Sequence, residues 1–231
     1  MSLHVVLTVR KITGIVNGMQ SATNEKALVH VVDDDASMCG ALEGLFDSVG
    51  LQTKTYATAK DFLSASLSDR PGCIVLDVRL PDMNGLEFQT RLAQIGVGIP
   101  VVMMTGYGDI PMSVHAMKHG AVDFLPKPFR DQDMLDAVLA AIERDRQRRV
   151  VESDDSQLKE RFETLSPREQ EVMLLVTTGK MNKQVAGDLG ISEITVKIHR
   201  GAAMHKMGAR TYAELVRMAD ALKPNLRKLG R

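Results

Sequence analysis

The feature that most constrains the fold of this chain is a rhythm between residues 28 and 149, where short apolar runs alternate with longer helical patterns. The runs are Leu28 to Val32, Thr53 to Tyr56, Cys73 to Leu76, Val101 to Met104 and Val122 to Leu125. Each is too short for a stable helix, and the runs are continuous instead of alternating, the pattern of strands covered on both faces. The intervals between them hold a crossover helix apiece, so the rhythm predicts a doubly wound (βα)5 domain of the α/β class. In such a sheet the loops at the carboxyl ends of the strands converge on a crevice, where ligands bind.

Those loops carry the polar residues. The first strand runs into Asp33, Asp34 and Asp35, the third into Asp77, the fourth into Thr105, and the fifth is followed by Lys127 and Pro128. Taken singly, each has a bland reading: an aspartate before a helix is an N-cap, a threonine opens a turn, and a lysine sits on the surface. Together they place matching groups on one rim of one sheet. Carboxylates from Asp33, Asp34 and Asp77 are the hard oxygen ligands that Mg²⁺ prefers. One carboxylate of such a cluster can attack phosphorus, while a lysine and a hydroxyl hold the remaining oxygens; Asp77, Lys127 and Thr105 fit these roles.

The second half of the chain is different in charge and pattern. Residues 1 to 155 hold 15 basic and 21 acidic side chains, a net −6, whereas residues 156 to 231 hold 14 and 8, a net +6. The division predicts an extension over residues 1–26, an α/β domain over 27–149, a polar linker over 150–158 and a helical domain over 159–231. Ser166, Pro167 and Glu169 form a capping box that starts a helix. Asn182 to Leu189 reads as a short helix, Gly190 as a turn, and Ser192 as the cap of a second helix running to about Met207. Two helices joined by a glycine turn make a helix-turn-helix, and the basic balance suits a phosphate backbone. Val196, Ala203, Met204 and Met207 read as core, and His199 as structural. The stripe of Leu215, Met218 and Ala219 on a last helix, Thr211 to about Leu222, suits either a dimer contact or the domain's own core.

The motifs His30-Val31-Val32-Asp33-Asp34-Asp35, Val75-Leu76-Asp77-Val78-Arg79-Leu80-Pro81, Thr105-Gly106-Tyr107-Gly108-Asp109 and Phe124-Leu125-Pro126-Lys127-Pro128-Phe129 resemble the receiver domains of bacterial response regulators, over residues 28 to 148. The resemblance implies that Asp77 accepts phosphate and that Asp33, Asp34, Asp77 and the main-chain carbonyl of Arg79 hold Mg²⁺. It also implies that Lys127, before a cis Pro128, contacts the acyl phosphate, and that Thr105 and Phe124 are coupled switch residues. Residues 165 to 219 resemble the LuxR-type output domains of the FixJ and NarL group, through Ser166-Pro167-Arg168-Glu169, Asn182-Lys183, Ile191-Ser192, Thr195-Val196-Lys197-Ile198-His199-Arg200 and Lys206-Met207. That likeness puts Lys197 and Ile198 at base edges of promoter DNA and Lys183, Thr195, Arg200 and Lys206 at phosphates. Gly201 stands where some relatives present lysine. The implied partners are a sensor histidine kinase, double-stranded DNA, RNA polymerase and, on phosphorylation, a second copy of the chain.

The same residues weigh against other classes. A phosphatase of the haloacid-dehalogenase type has an acid two positions after its nucleophile, where this chain has Arg79. No glycine-rich fingerprint follows the first strand, as nucleotide binding would need. The chain thus reads as a regulator and not as an enzyme. A receiver used for protein contact without phosphorylation is the alternative, and the full set of Asp33, Asp34, Asp77, Thr105 and Lys127 argues against it. No apolar run reaches the length of a membrane span. The stretch Leu3 to Val9 is closed by Arg10 and Lys11, so a cytoplasmic address is expected. Cys39 and Cys73 lack metal or disulfide spacing and read as buried thiols.

Overall fold

A computed structural model describes residues 26–106 and 110–229, so the expected extension and Tyr107, Gly108 and Asp109 lie outside the described residues. The chain divides into two compact units between Arg148 and Arg149.

In the first unit the chain runs β1 (Leu28–Val32), α1 (Ala36–Ser48), β2 (Gln52–Tyr56), α2 (Ala59–Ser64), β3 (Gly72–Asp77), α3 (Gly85–Gln94), β4 (Val101–Thr105), α4 (Ile110–Lys118), β5 (Asp123–Pro126) and the first half of α5 (Asp131–Glu163), a helix that continues past Arg148. The strands form one parallel sheet in the order β2-β1-β3-β4-β5. The order reverses between β1 and β3, and it is there that the two aspartate-bearing strand ends lie side by side. Successive side chains of a strand point to opposite faces. Val29, Val31, Cys73, Val75, Val102 and Met104 accordingly meet Leu42 and Phe46 of α1 and Met134, Val138 and Ile142 of α5. Ile74, Leu76 and Met103 meet Phe62 of α2, Phe88 and Leu92 of α3 and Ala116 of α4 on the other face. The sheet is thus covered on both sides, except that the edge strand β2 leaves Gln52, Lys54 and Thr55 exposed.

Local chemistry sets where the helices start. Asp35 is the N-cap of α1, its carboxylate accepting from the N–H groups of Ser37 (2.8 Å) and Met38 (3.3 Å). Asn84 caps α3 in the same way, and α3 begins so close to the end of β3 that a Cβ on Gly85 would collide with the Asp77 carbonyl. Asp145 of α5 is fully buried, where it accepts from the Gly72 N–H (3.0 Å) and from Arg148.

Residues 150–158, read from their polarity as a linker, continue α5. Polarity reports exposure, and from Asp131 to Glu163 the sequence holds no glycine or proline that would end a helix.

The second unit adds α6 (Pro167–Val176), α7 (Asn182–Leu189), α8 (Glu193–Met207) and α9 (Tyr212–Leu229). Ser166 and Glu169 form the expected capping box at α6, and Ser192 caps α8 by accepting from the Thr195 N–H (3.1 Å). Gly190 ends α7 with φ +64°, a left-handed turn that a side chain would strain. Val172, Met173, Val185, Val196, Ala203, Met207, Leu215 and Ala219 close a single core, with Met204 and Met218 packed at its margin. The stripe on α9 therefore serves the domain's own core.

Candidate phosphorylation site and DNA-binding face

The acidic crevice is built from three strand ends. Asp33, after β1, and Asp77, at the end of β3, are both buried, at 2% and 6% exposure, while Asp34 is exposed. Between the two buried carboxylates sits the ammonium of Lys127, 2.8 Å from Asp33 Oδ2 and 3.1 Å from Asp77 Oδ1. The remaining oxygens are oriented by backbone: Asp33 Oδ1 accepts from the Asp35 N–H (2.9 Å) and Asp77 Oδ2 from the Arg79 N–H (3.0 Å). Lys127 itself is held by its own N–H, which donates to the Thr105 carbonyl (2.6 Å), and the Lys127–Pro128 bond is cis. Thr105 is buried. Phe124 is half-buried and packs on the sheet face shared with Phe88 and Met103.

Burial pushes the Asp77 carboxyl above its ordinary value, and the charge of Asp33 adds to this, against the opposing pull of Lys127. Burial also works against the charge on Lys127, but hydrogen bonds and attraction from Asp33 and Asp77 prevail and hold its ammonium above the usual lysine value. One cation thus sits among three aspartates whose oxygens approach within 4.8 Å of one another. Such hard, oriented carboxylates fit a divalent cation of the Mg²⁺ type.

Of the receiver residues singled out from the sequence, the structure brings together the side chains of Asp33, Asp34, Asp77 and Lys127, with Arg79 and Thr105 joined to them through the backbone, while Phe124 packs in the core on one face of the sheet. Sequence reading missed Gly85, whose lack of a side chain lets α3 start against Asp77, and Cys39, whose thiol donates to the Asp33 carbonyl (3.4 Å). A glycine after Asn84 was a visible turn signal; nothing in the sequence marks Cys39.

In the second unit, Lys183, Lys197 and Ile198 are exposed, and Thr195 and Arg200 are half-buried. Arg200 donates to Asn182 Oδ1 (3.3 Å), bracing α8 against the start of α7. Thr195 shares a hydrogen bond with Ser192 Oγ (2.8 Å) inside the cap. Lys206, read as a phosphate contact, is exposed and also ion-paired: its ammonium lies 2.6 Å from Glu169 Oε2 and 3.2 Å from the Thr164 carbonyl. That ion pair holds the Glu169 carboxyl below its usual value. Lys206 thus locks the capping box of α6 to the end of α8, a partner that sequence spacing could not reveal.

Comparison with known families matches residues 29–139 to the response regulator receiver domain and residues 163–219 to the bacterial regulatory proteins of the luxR family. Nodulation protein W of Bradyrhizobium diazoefficiens is 56% identical over 205 residues, covering 89% of this chain and 90% of that protein. Transcriptional regulatory protein FixJ of Azorhizobium caulinodans is 43% identical over 195 residues, 84% of this chain and 92% of its own length. Among solved structures, the response regulator StyR matches with a TM-score of 0.75 and 45% identity, over 85% of this chain and 99% of that one. The chain belongs to the response regulators that join a receiver to a LuxR-type DNA-binding domain, and is a transcriptional regulator of a two-component system. Receiver domains of this kind bind Mg²⁺ at an acidic pocket, and Asp33, Asp34 and Asp77 make such a pocket here.

Proposed function

We propose that Asp77 is the phosphoacceptor of this regulator, charged by a sensor histidine kinase. The observation that carries this reading is the Lys127 ammonium shared by Asp33 and Asp77. A carboxylate oxygen of Asp77 forms the new bond to phosphorus as the bond to the kinase imidazole breaks. Lys127, already within reach, then holds a phosphoryl oxygen. Asp33, Asp34, Asp77 and the Arg79 carbonyl would hold Mg²⁺, which supplies neutralisation of the charge that three carboxylates and a phosphate bring together. Thr105 engages the added phosphoryl group, and Phe124 turns into the space behind it.

The same reading extends to the output. Lys197 and Ile198 face base edges, and Lys183, Thr195, Arg200 and Lys206 hold phosphates, Lys206 from an exposed position beside Glu169. The exposed Val114 and Met117 of α4 and Leu139 of α5 support a receiver dimer that places two DNA-binding units on a two-fold site. Among the described residues no helix is long and apolar enough to cross a membrane; the luxR-family domain supports action in the cytoplasm, on promoters and with RNA polymerase. The likeness to a nodulation protein supports activation of nodulation genes as the output.

Incubation of wild type and Asp77→Asn with acetyl phosphate and Mg²⁺ tests the core of this reading. The wild type should gain an acid-stable, alkali-labile phosphate that chelation prevents and Asp77→Asn lacks entirely. Equal labelling of the two proteins overturns the assignment. Sedimentation of the same samples should show a mass increase only in the labelled wild type.

A further inference from the structure

The face of α8 that points away from its core carries two isoleucines with no apolar cover. Ile194 is 70% exposed and Ile198 64%. Four residues apart, they share one helix face, separated by about 6 Å along the axis. Lys197 and Gly201, three and seven residues after Ile194, complete the same stripe and are exposed as well. Neither isoleucine is there for the helix: a β-branched side chain forms helix less readily than alanine, and these two gain no burial in return. Glycine in a helix interior is less favourable still, yet a Cβ on Gly201 would meet nothing within 4 Å. Packing within the chain therefore does not call for the glycine. Three departures from what the helix alone favours lie on one outward stripe.

We propose that Ile194 is a base-reading residue, which with Ile198 recognises the methyl groups of two thymines in the major groove, one or two base-pair steps apart. This deepens the DNA-binding reading above and rests on it. The only apolar group that base edges offer in the major groove is the C5 methyl of thymine, and isoleucine has neither donor nor acceptor for the rest. A separation of about 6 Å spans just under two steps of about 3.4 Å each along the duplex. The occupant is a polyanion and not an apolar protein surface, because Lys197 stands between the isoleucines and the unit carries a net +6 over residues 156–231. Gly201, bare at the end of the stripe, lets the helix backbone come close to the groove floor.

The test selects binding sites from random duplex DNA with the full-length chain, then replaces each thymine singly by uracil, which lacks only the methyl group. Two positions of each half-site should weaken about fourfold, the weight of one buried methyl group. Ile194→Ala should lose a similar factor on the thymine duplex and become indifferent to uracil at one of the two positions; Ile198→Ala should become indifferent at the other. Ile194→Val should retain most of the discrimination. Because both side chains are exposed, the variants should melt with the wild type. If Ile194→Ala keeps full uracil sensitivity at both positions, Ile194 reads no base and the proposal falls while DNA binding stands. A chain that selects no sequence at all overturns the DNA-binding reading and the proposal with it.

Discussion

In the receiver, the charged groups at the centre of the site are taken out of water and held by one another: Asp33, Asp77 and Lys127 meet between strand ends, and Asp35 and Arg79 contribute backbone N–H groups. In the helix-turn-helix unit, Lys183, Lys197, Ile194 and Ile198 stand exposed to solvent. The first arrangement stores electrostatic tension within the fold, so a change of charge there is felt as stability. The second stores nothing, so a change there is felt only when DNA binds. Buried charges interact through a weaker screen than exposed ones, which salt quenches over about 10 Å.

The most forceful way to break this contrast is Lys127→Met. It leaves the buried Asp33 and Asp77 carboxylates facing each other with no cation, a change that costs about 3–5 kcal/mol. Amide exchange in β1 and β3 of the intact chain should speed up accordingly at neutral pH, and millimolar Mg²⁺ should restore part of the protection. A variant as protected as the wild type without divalent cation would show that Lys127 is not what holds the carboxylates together. In the output unit Lys197→Ala should leave amide exchange in α8 within about 0.5 kcal/mol of the wild type.

Acid gives the next largest effect, in the receiver. His30 lies on β1 among Tyr56 and Phe62, its Nδ1 3.0 Å from the Tyr56 hydroxyl, and burial, aided by Lys54 and Arg70, lowers its pKa from 6.5 to about 4. Above pH 6.5 the ring is neutral in both folded and unfolded chains, and its contribution to stability is fully present. As pH falls from 6.5 to 4 the unfolded chain takes up a proton that the receiver refuses, so stability declines by up to about 3 kcal/mol and then levels off. Urea midpoints of the receiver transition, followed through this window, should trace that decline, and His30→Phe should flatten it. A wild-type profile already flat between pH 6.5 and 4 would place the ring in contact with water.

The same difference between hidden and shown chemistry explains what could be read in advance. The strands were legible because Val29, Val31 and Val32, Cys73 to Leu76 and Val101 to Met104 are apolar on both faces of a covered sheet, and the crevice followed from where such strands end. The capping box at Ser166 and the turn at Gly190 were legible because they are local, each set by residues within a few positions. Edge strand β2 was legible only in part, since Gln52, Lys54 and Thr55 need no apolar cover. The run of α5 through residues 150–158 was missed because an exposed helix carries the composition of a linker. The Lys206–Glu169 pair joins residues 37 apart in sequence, and Asp145 reaches back 73 residues to Gly72. Partners at such distances exist only once the chain has folded.

On DNA the order reverses and the output unit becomes the sensitive one. Lys197→Ala should lose about 1–3 kcal/mol at a specific site and relax selectivity at one base pair, whereas Lys183→Ala should weaken all sequences alike and reduce the slope of affinity against salt by about one ion. Filter binding or fluorescence anisotropy at several salt concentrations separates the two. Equal losses on specific and random DNA for Lys197→Ala would mean that α8 is turned differently in the groove.

The smallest expected effect bears on two glycines. Gly85 is required from within: α3 starts against the carbonyl of Asp77, and a methyl group there would have to displace backbone at the acidic crevice. Gly201 faces the other way, in the interior of α8 with open space where a side chain would be. Replacing glycine by alanine at an exposed, unstrained helical position stabilises the helix by about 0.8–1 kcal/mol, since the unfolded chain loses freedom and nothing in the folded unit is disturbed. Gly201→Ala should therefore slow amide exchange in α8 by about fourfold to fivefold, and weaken binding to selected DNA if the backbone approaches the groove there. Gly85→Ala should do the reverse, speeding exchange in β3 and α3. If Gly201→Ala gains stability and binds DNA as tightly as the wild type, then the bare position is tolerated and not used, and the approach of α8 to the groove floor must be set by the reach of Lys197 and the two isoleucines.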